Sequence, residues 1–258
     1  AFERSTAPYV LMLNSDTVVS PGAISRSVSR LEATPGAAVV GCRVLNPDGT
    51  HQSSVFRFPD LLGITLTALY LPQAFPDHPV LNWPRYGSGL WNEPHDVDVV
   101  MGGFLLVRRD ALDDGPLLDE GFWMYGEETD LCRRLAERGH RVVFDPGPTI
   151  VHAHGGSGST ISAWSEAAKR RGILRFVWKW RPTPVAWLAN AIRLLGLLPR
   201  MIGWGLADVV DRWRGRPDRA RRKRLGVAKL HVEALARPSR LNEPWGPPTA
   251  PAAVDEAG

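Results

Sequence analysis

The spacing of apolar and polar positions changes along the chain, and the change divides it. Tyr9 to Leu13 (Tyr-Val-Leu-Met-Leu) is a short continuous apolar run, expected to form a buried strand that ends in Asn14-Ser15-Asp16-Thr17. Pro21-Gly22 opens a helix of about a dozen residues, with Ile24, Val28 and Leu31 on one face. A strand is expected over Ala38 to Arg43. Asn46-Pro47-Asp48-Gly49 is then a turn between Val44-Leu45 and the alternating segment Gln52 to Phe58, which makes a hairpin or an excursion loop. Leu61 to Leu71 reads as a helix, and Pro72 to Glu93 as a long Pro/Trp-rich loop of the kind that compact domains keep for function or leave disordered. Val97 to Met101 and Phe104 to Val107 are strand-like on either side of Gly102-Gly103. A helix runs from about Glu127 to Arg138 and stops at Gly139. A strand over Arg141 to Asp145 is expected to end at Pro146-Gly147, before a short final strand at Ile150-Val151-His152. Strand and helix alternate throughout this part, which predicts a layered α/β domain over residues 1–160.

After Ser159 the pattern becomes helical only: Ala163 to Trp180, Pro184 to Trp213 and Pro217 to Leu235, each opened or broken by Pro or Gly. The middle segment is rich in Leu, Ile and Trp, but Arg193, Pro199 and Arg200 interrupt it. No uncharged run therefore reaches the ~20 residues of a membrane span. It reads as an interfacial amphipathic helix pair within an all-α extension over residues 161–237. The Pro/Ala-rich tail, 238–258, is expected to be disordered.

Composition refines this picture only at the end of the chain. With 258 residues, 44% of them hydrophobic, a sizeable core is available. The net charge of +4 hides a block from Arg212 to Arg224 that holds eight basic residues and one acid, Asp218. Such a block is ordinarily a solvated, self-repelling face; beside the Trp-rich helices it also suits an anionic membrane surface, and nucleic acid less well. Cys42 and Cys132 lie far apart and have no metal-like spacing, as expected of free thiols in a reducing compartment. The first residues have neither the basic nor the apolar region of a signal peptide.

Three places carry candidate chemistry. Asp16 directly follows a strand, where α/β sheets bind ligands, and its carboxylate suits a hard divalent cation holding a diphosphate. Met124-Tyr125-Gly126-Glu127-Glu128-Thr129-Asp130 crowds three carboxylates into the first turn of a helix. Acids there serve base-assisted group transfer, or simply the helix dipole. His152-Ala153-His154-Gly155-Gly156-Ser157 places two histidines on one face of an extended segment, ahead of small residues whose amides can approach a phosphate. His152 and His154 also admit a zinc hydrolase, although no further ligand cluster completes such a site.

The order of these motifs resembles the family 2 glycosyltransferases of the GT-A fold, especially their bacterial rhamnosyltransferase-like branch, over roughly Tyr9 to Trp180. The resemblance implies a partial GT-A domain of the α/β class, with a Rossmann-like mixed sheet. It implies that Asn14 and Asp16 belong to an Asn-x-Asp-Thr form of the family's acidic motif, with Asp16 and His152 as ligands of Mg²⁺ or Mn²⁺. Gly102 and Gly103 would form the small-residue turn beside the donor sugar. Glu127 and Glu128 would be the acidic pair whose second member is the general base, where Asp is commoner than the Glu found here. His154 falls on a position often occupied by Gly, and Arg170 to Lys179 resembles a basic-aromatic stretch that often follows. Trp123, Tyr125, Asp130, Gly155, Gly156 and Ser157 complete the expected substrate-binding set. Family members normally carry a strand and about three βα units ahead of the acidic motif, whereas eight residues precede Tyr9 here. The expectation is therefore a C-terminal portion of an enzyme, inactive alone if truncated. The implied activity is inverting transfer of a sugar, rhamnose among the candidates, from a nucleoside-diphosphate sugar to a cell-envelope or polyprenyl-linked glycan. The expected location is the inner face of the cell membrane. The alternative is a non-catalytic remnant or carbohydrate-binding module that keeps the acceptor half of the fold.

Overall fold

A computed structural model describes residues 2–87, 92–113, 115–122, 124–153 and 162–214, with Lys229 and Leu241. Its centre is β3 (Ala37–Leu45), whose residues 37–42 are all buried, as befits a strand covered on both faces. On one edge β3 pairs antiparallel with β8 (Phe104–Arg108), which in turn pairs with β1 (Tyr9–Leu13). On the other it pairs parallel with β9 (Arg141–His152), which is flanked by β2 (Thr17–Val19). The order β1-β8-β3-β9-β2 makes a mixed sheet. Two short strands join it: β4 (His51–Gln52) lies against β3, and β6 (His95–Asp96) against β9. A separate ribbon pairs β5 (Val55–Phe56) with β7 (Val99–Val100).

Side chains that alternate along β3 and β8 feed two cores. Val40, Phe104, Leu106 and Ile150 pack with Leu31 of α1 (Ala23–Ala33). Val39, Leu105, Val107 and Phe144 pack with Leu131 and Leu135 of α4 (Glu127–Glu137) on the opposite face. Each such leucine, fully buried, contributes about 1.5–3 kcal/mol.

Three expectations are corrected. β1 is an edge strand and only half-buried, with Leu13 43% exposed. Pro146-Gly147 does not end a strand: β9 runs through it as an irregularity in which Cys42 faces Asp145 while Arg43 faces Thr149. Proline has no N–H to lose there, and the Gly147 N–H is taken by Asp145 Oδ1 at 2.9 Å, so the looped-out residues leave the ladder intact on both sides. The helix expected over Leu61 to Leu71 is two, α2 (Leu61–Ala68) and α3 (Leu71–Ala74). They are separated at Tyr70 (φ 63°), because Pro72 fits only a first turn. The segment from Pro184 to Trp213 forms the two helices its interruptions led one to expect, α6 (Thr183–Leu195) and α7 (Leu198–Trp213), with Pro199 in the opening turn of the second.

α5 (Ser162–Trp180) crosses α4, and α6 packs on α2 through Ile64, Ala186 and Ala189. α7 carries exposed Leu198, Ile202, Leu206, Val209 and Trp213. Among the described residues no helix is long and apolar enough to cross a membrane. The helix expected over Pro217 to Leu235 and the tail 238–258 lie outside the described residues except for Lys229 and Leu241. Leu241 is buried against Leu174 and Trp178, and its carbonyl accepts a hydrogen bond from Arg175.

Candidate active site

The pairing of β2 with the end of β9 sets Thr17 opposite His152, and this joins two motifs that lie 136 residues apart in sequence. His152 Nε2 is 3.2 Å from Asp16 Oδ1 and 3.2 Å from Asn14 Nδ2, while Nδ1 is 3.0 Å from Gln52 Oε1. The ring is 6% exposed, and the Asp16 side chain keeps 28% of its surface. One carboxylate oxygen and one imidazole nitrogen, side by side at the edge of the sheet, fit a divalent cation such as Mn²⁺ or Mg²⁺. Among the described residues no third His, Cys, Asp or Glu joins them, so phosphate oxygens and water would complete the shell. The same observation leaves the zinc-hydrolase alternative without further ligands among those residues, and His154 lies outside them.

Gly102-Gly103 connects this end of the sheet to the acidic helix. The Asn14 N–H donates to the Gly103 carbonyl at 3.2 Å, and a Cβ placed on Gly102 would lie 3.7 Å from Glu128 Cβ. α4 starts from Gly126 in the left-handed region (φ 95°), a conformation for which glycine carries no steric penalty. The side chain of Glu128, one carbon longer than Asp, turns back so that Oε2 accepts the Gly126 N–H at 3.1 Å. Glu127 Oε2 is buried with no hydrogen-bond partner among the described residues. Burial first, and the adjacent Glu128 second, push the Glu127 carboxyl up to about 7; burial also raises Glu128. A carboxyl raised to about 7 beside a second raised one puts a proton-exchanging group near physiological pH at the start of α4.

Asp130 has a different place from the one expected. Its carboxylate is wholly buried and taken by Trp180 Nε1 at 2.8 Å, Lys179 Nζ at 2.7 Å and Arg134 Nε at 3.1 Å. It locks α4 to α5 and has no surface for substrate. Tyr125 sits at the mouth of the turn (φ 67°) with Lys169 Nζ 5.0 Å above its ring. Trp123, Gly155, Gly156 and Ser157 lie outside the described residues.

Three supporting residues escaped the sequence reading. Gln52 seemed one polar position in an alternating strand. Gly172 does not stand out within the stretch Arg170 to Lys179, yet a Cβ there would fall 2.1 Å from the Tyr125 carbonyl oxygen, so only glycine lets α5 pass this close to the turn at Tyr125-Gly126. Asp119 binds Arg175 and Lys179 of α5. Although burial opposes it, these cations and the Gly121 N–H hold its carboxyl down to about 2. Each depends on contacts across more than 45 residues, which local periodicity does not register.

The mixed α/β sheet is that of a GT-A glycosyltransferase domain, and it carries a carboxylate–imidazole pair at a strand edge and an acidic helix start beside a glycine turn. The chain belongs to the glycosyltransferase-like family 2, whose model matches residues 1–173. It is 30% identical over 146 residues to an N-acetylglucosaminyl-diphospho-decaprenol L-rhamnosyltransferase of Mycobacterium tuberculosis, covering 56% of this chain and 46% of that protein. It is 26% identical over 153 residues to the rhamnosyltransferase WbbL of Escherichia coli K12, covering 56% and 52%. The chain thus spans about half the length of these curated relatives. Among solved structures it is similar to GalNAc-T7 with UDP, GalNAc and Mn²⁺ (TM-score 0.48, 14% identity, 90% of this chain and 41% of that one).

Proposed function

We propose that this chain carries the cation and base side of an inverting glycosyltransferase, which moves a sugar, with rhamnose the first candidate, from a nucleoside-diphosphate sugar to a hydroxyl of a cell-envelope glycan. The observation that supports this most is the continuity of contacts from His152 and Asp16 through Asn14 and Gly103 to Gly102 and Glu128. Asp16 and His152 would hold the cation. When bound, it would supply Lewis-acid neutralisation of the departing diphosphate. Glu128, which lies against the glycine turn, is the favoured base and Glu127 its partner. As the acceptor oxygen bonds to the anomeric carbon, the bond from that carbon to the diphosphate breaks and the acceptor proton passes to the carboxylate. Inversion and the donor class follow from the family resemblance. Release of nucleoside diphosphate from a panel of nucleoside-diphosphate sugars tests the reading. The expected result is acceptor-dependent release that Asp16→Ala abolishes; release unaffected by that change would contradict it.

The acceptor in this reading is lipid-linked, and the enzyme works at the cytoplasmic face of the membrane. Support comes from the acceptor named for the mycobacterial relative, N-acetylglucosaminyl-diphospho-decaprenol, and from the helical extension. Leu198, Ile202, Leu206, Val209 and Trp213 recur every three or four residues along α7 and remain exposed. The eight basic residues begin at Arg212. Such a helix lies in an anionic headgroup layer, each basic residue near the surface adding about 1 kcal/mol.

A further inference from the structure

We propose that Gln52 is a positioning residue that sets the tautomer of His152 and keeps Nε2 as the electron-pair donor beside Asp16. Val44 of β3 faces Gln52 on one edge and Ile150 on the other, and His152 lies two residues beyond Ile150 on the same face. Strand pairing therefore brings the Gln52 amide to the imidazole from across β3, and both side chains are buried (7% and 6% exposed). A carbonyl oxygen carries no proton, so the 3.0 Å contact between Gln52 Oε1 and His152 Nδ1 places the proton on Nδ1, which donates. The second amide agrees: Asn14 Nδ2 donates toward Nε2 at 3.2 Å, which requires a lone pair there. One side chain from β4 and one from the turn after β1 thus select the tautomer that a metal-ligating imidazole needs. Nε2 is also the nitrogen 3.2 Å from the Asp16 oxygen. Without Gln52, Asp16 would draw the proton to Nε2 and close that lone pair.

This inference rests on the reading of Asp16 and His152 as cation ligands, and the test separates the two. Nitrogen-15 chemical shifts of the His152 ring are recorded for the metal-free chain at pH 8, in wild type, Gln52→Leu and Gln52→Glu. Mn²⁺ affinity is measured on the same proteins by electron paramagnetic resonance, with Asp16→Ala as control. The Nδ1-protonated tautomer is expected in wild type and in Gln52→Glu, which keeps an acceptor, and the Nε2-protonated form in Gln52→Leu. Mn²⁺ affinity is expected to fall about 10–100-fold in Gln52→Leu and to survive in Gln52→Glu. An Nε2-protonated wild type, or a Gln52→Leu protein that keeps both tautomer and affinity, overturns the role of Gln52. Wild-type Mn²⁺ binding that Asp16→Ala leaves unchanged overturns the cation reading instead. The wild-type spectrum decides the tautomer even where Gln52→Leu does not fold.

Discussion

Glu127 offers a test of the acidic pair that needs no substrate. Its carboxyl titrates at about 7 instead of the ordinary 4.5, through burial and then the neighbouring Glu128. The folded chain therefore keeps the proton to higher pH than the unfolded chain does. The group's contribution to stability is full below pH 4.5 and is lost as the pH rises to about 7. At about 1.4 kcal/mol per pH unit the loss comes to about 3 kcal/mol, and nearer 2 once the partial exposure of the side chain is allowed for. Glu127→Gln mimics the protonated state and removes the penalty. Urea unfolding followed by tryptophan fluorescence from pH 4 to 8.5 should show the variant equal to wild type at pH 4. At pH 8 it should be about 2–3 kcal/mol more stable, the gap opening between pH 4.5 and 7. A pH-independent difference, or a variant less stable than wild type at pH 8, would refute the account of this pair.

Other perturbations probe the supports of the site. Asp130→Asn leaves Lys179 and Arg134 without their buried carboxylate and should cost about 3–5 kcal/mol in urea unfolding. A loss under 1 kcal/mol would show that the contact between α4 and α5 does not depend on it. Gly172→Ala forces a methyl onto the Tyr125 carbonyl and should cost about 1–3 kcal/mol, with a weakened turn at Gly126; an unchanged unfolding midpoint would argue against that close approach. Co-sedimentation of the full chain with anionic vesicles at low salt should be strong, and lost on Ile202→Asp with Leu206→Asp. Binding that survives both substitutions would remove α7 from the membrane reading.

What could be read from the sequence was whatever local chemistry dictates. The apolar run before Asn14, the acids after Gly126 and the alternation across β3 and β8 each have a local cause, and they yielded the layered α/β class. Asp16 and His152 were legible as candidates because strand-end acids and histidines are informative one at a time. Their contact depends on β2, three residues too short to leave a periodic signal. Asp130 was misread because acids in a first turn share one local signature, whatever they face across the interface. Pro146-Gly147 was misread because a proline outside the hydrogen-bond ladder has the same local sequence as one that ends it.

The central claim is that Glu128 takes the acceptor proton while Asp16 serves the diphosphate. The most direct measurement is acceptor-dependent sugar transfer, with donor affinity determined in parallel, for Glu128→Gln and Asp16→Ala. The account predicts that Glu128→Gln lowers turnover about 10²–10⁴-fold with donor affinity unchanged, whereas Asp16→Ala loses cation-dependent donor binding as well. Full turnover by Glu128→Gln would contradict it.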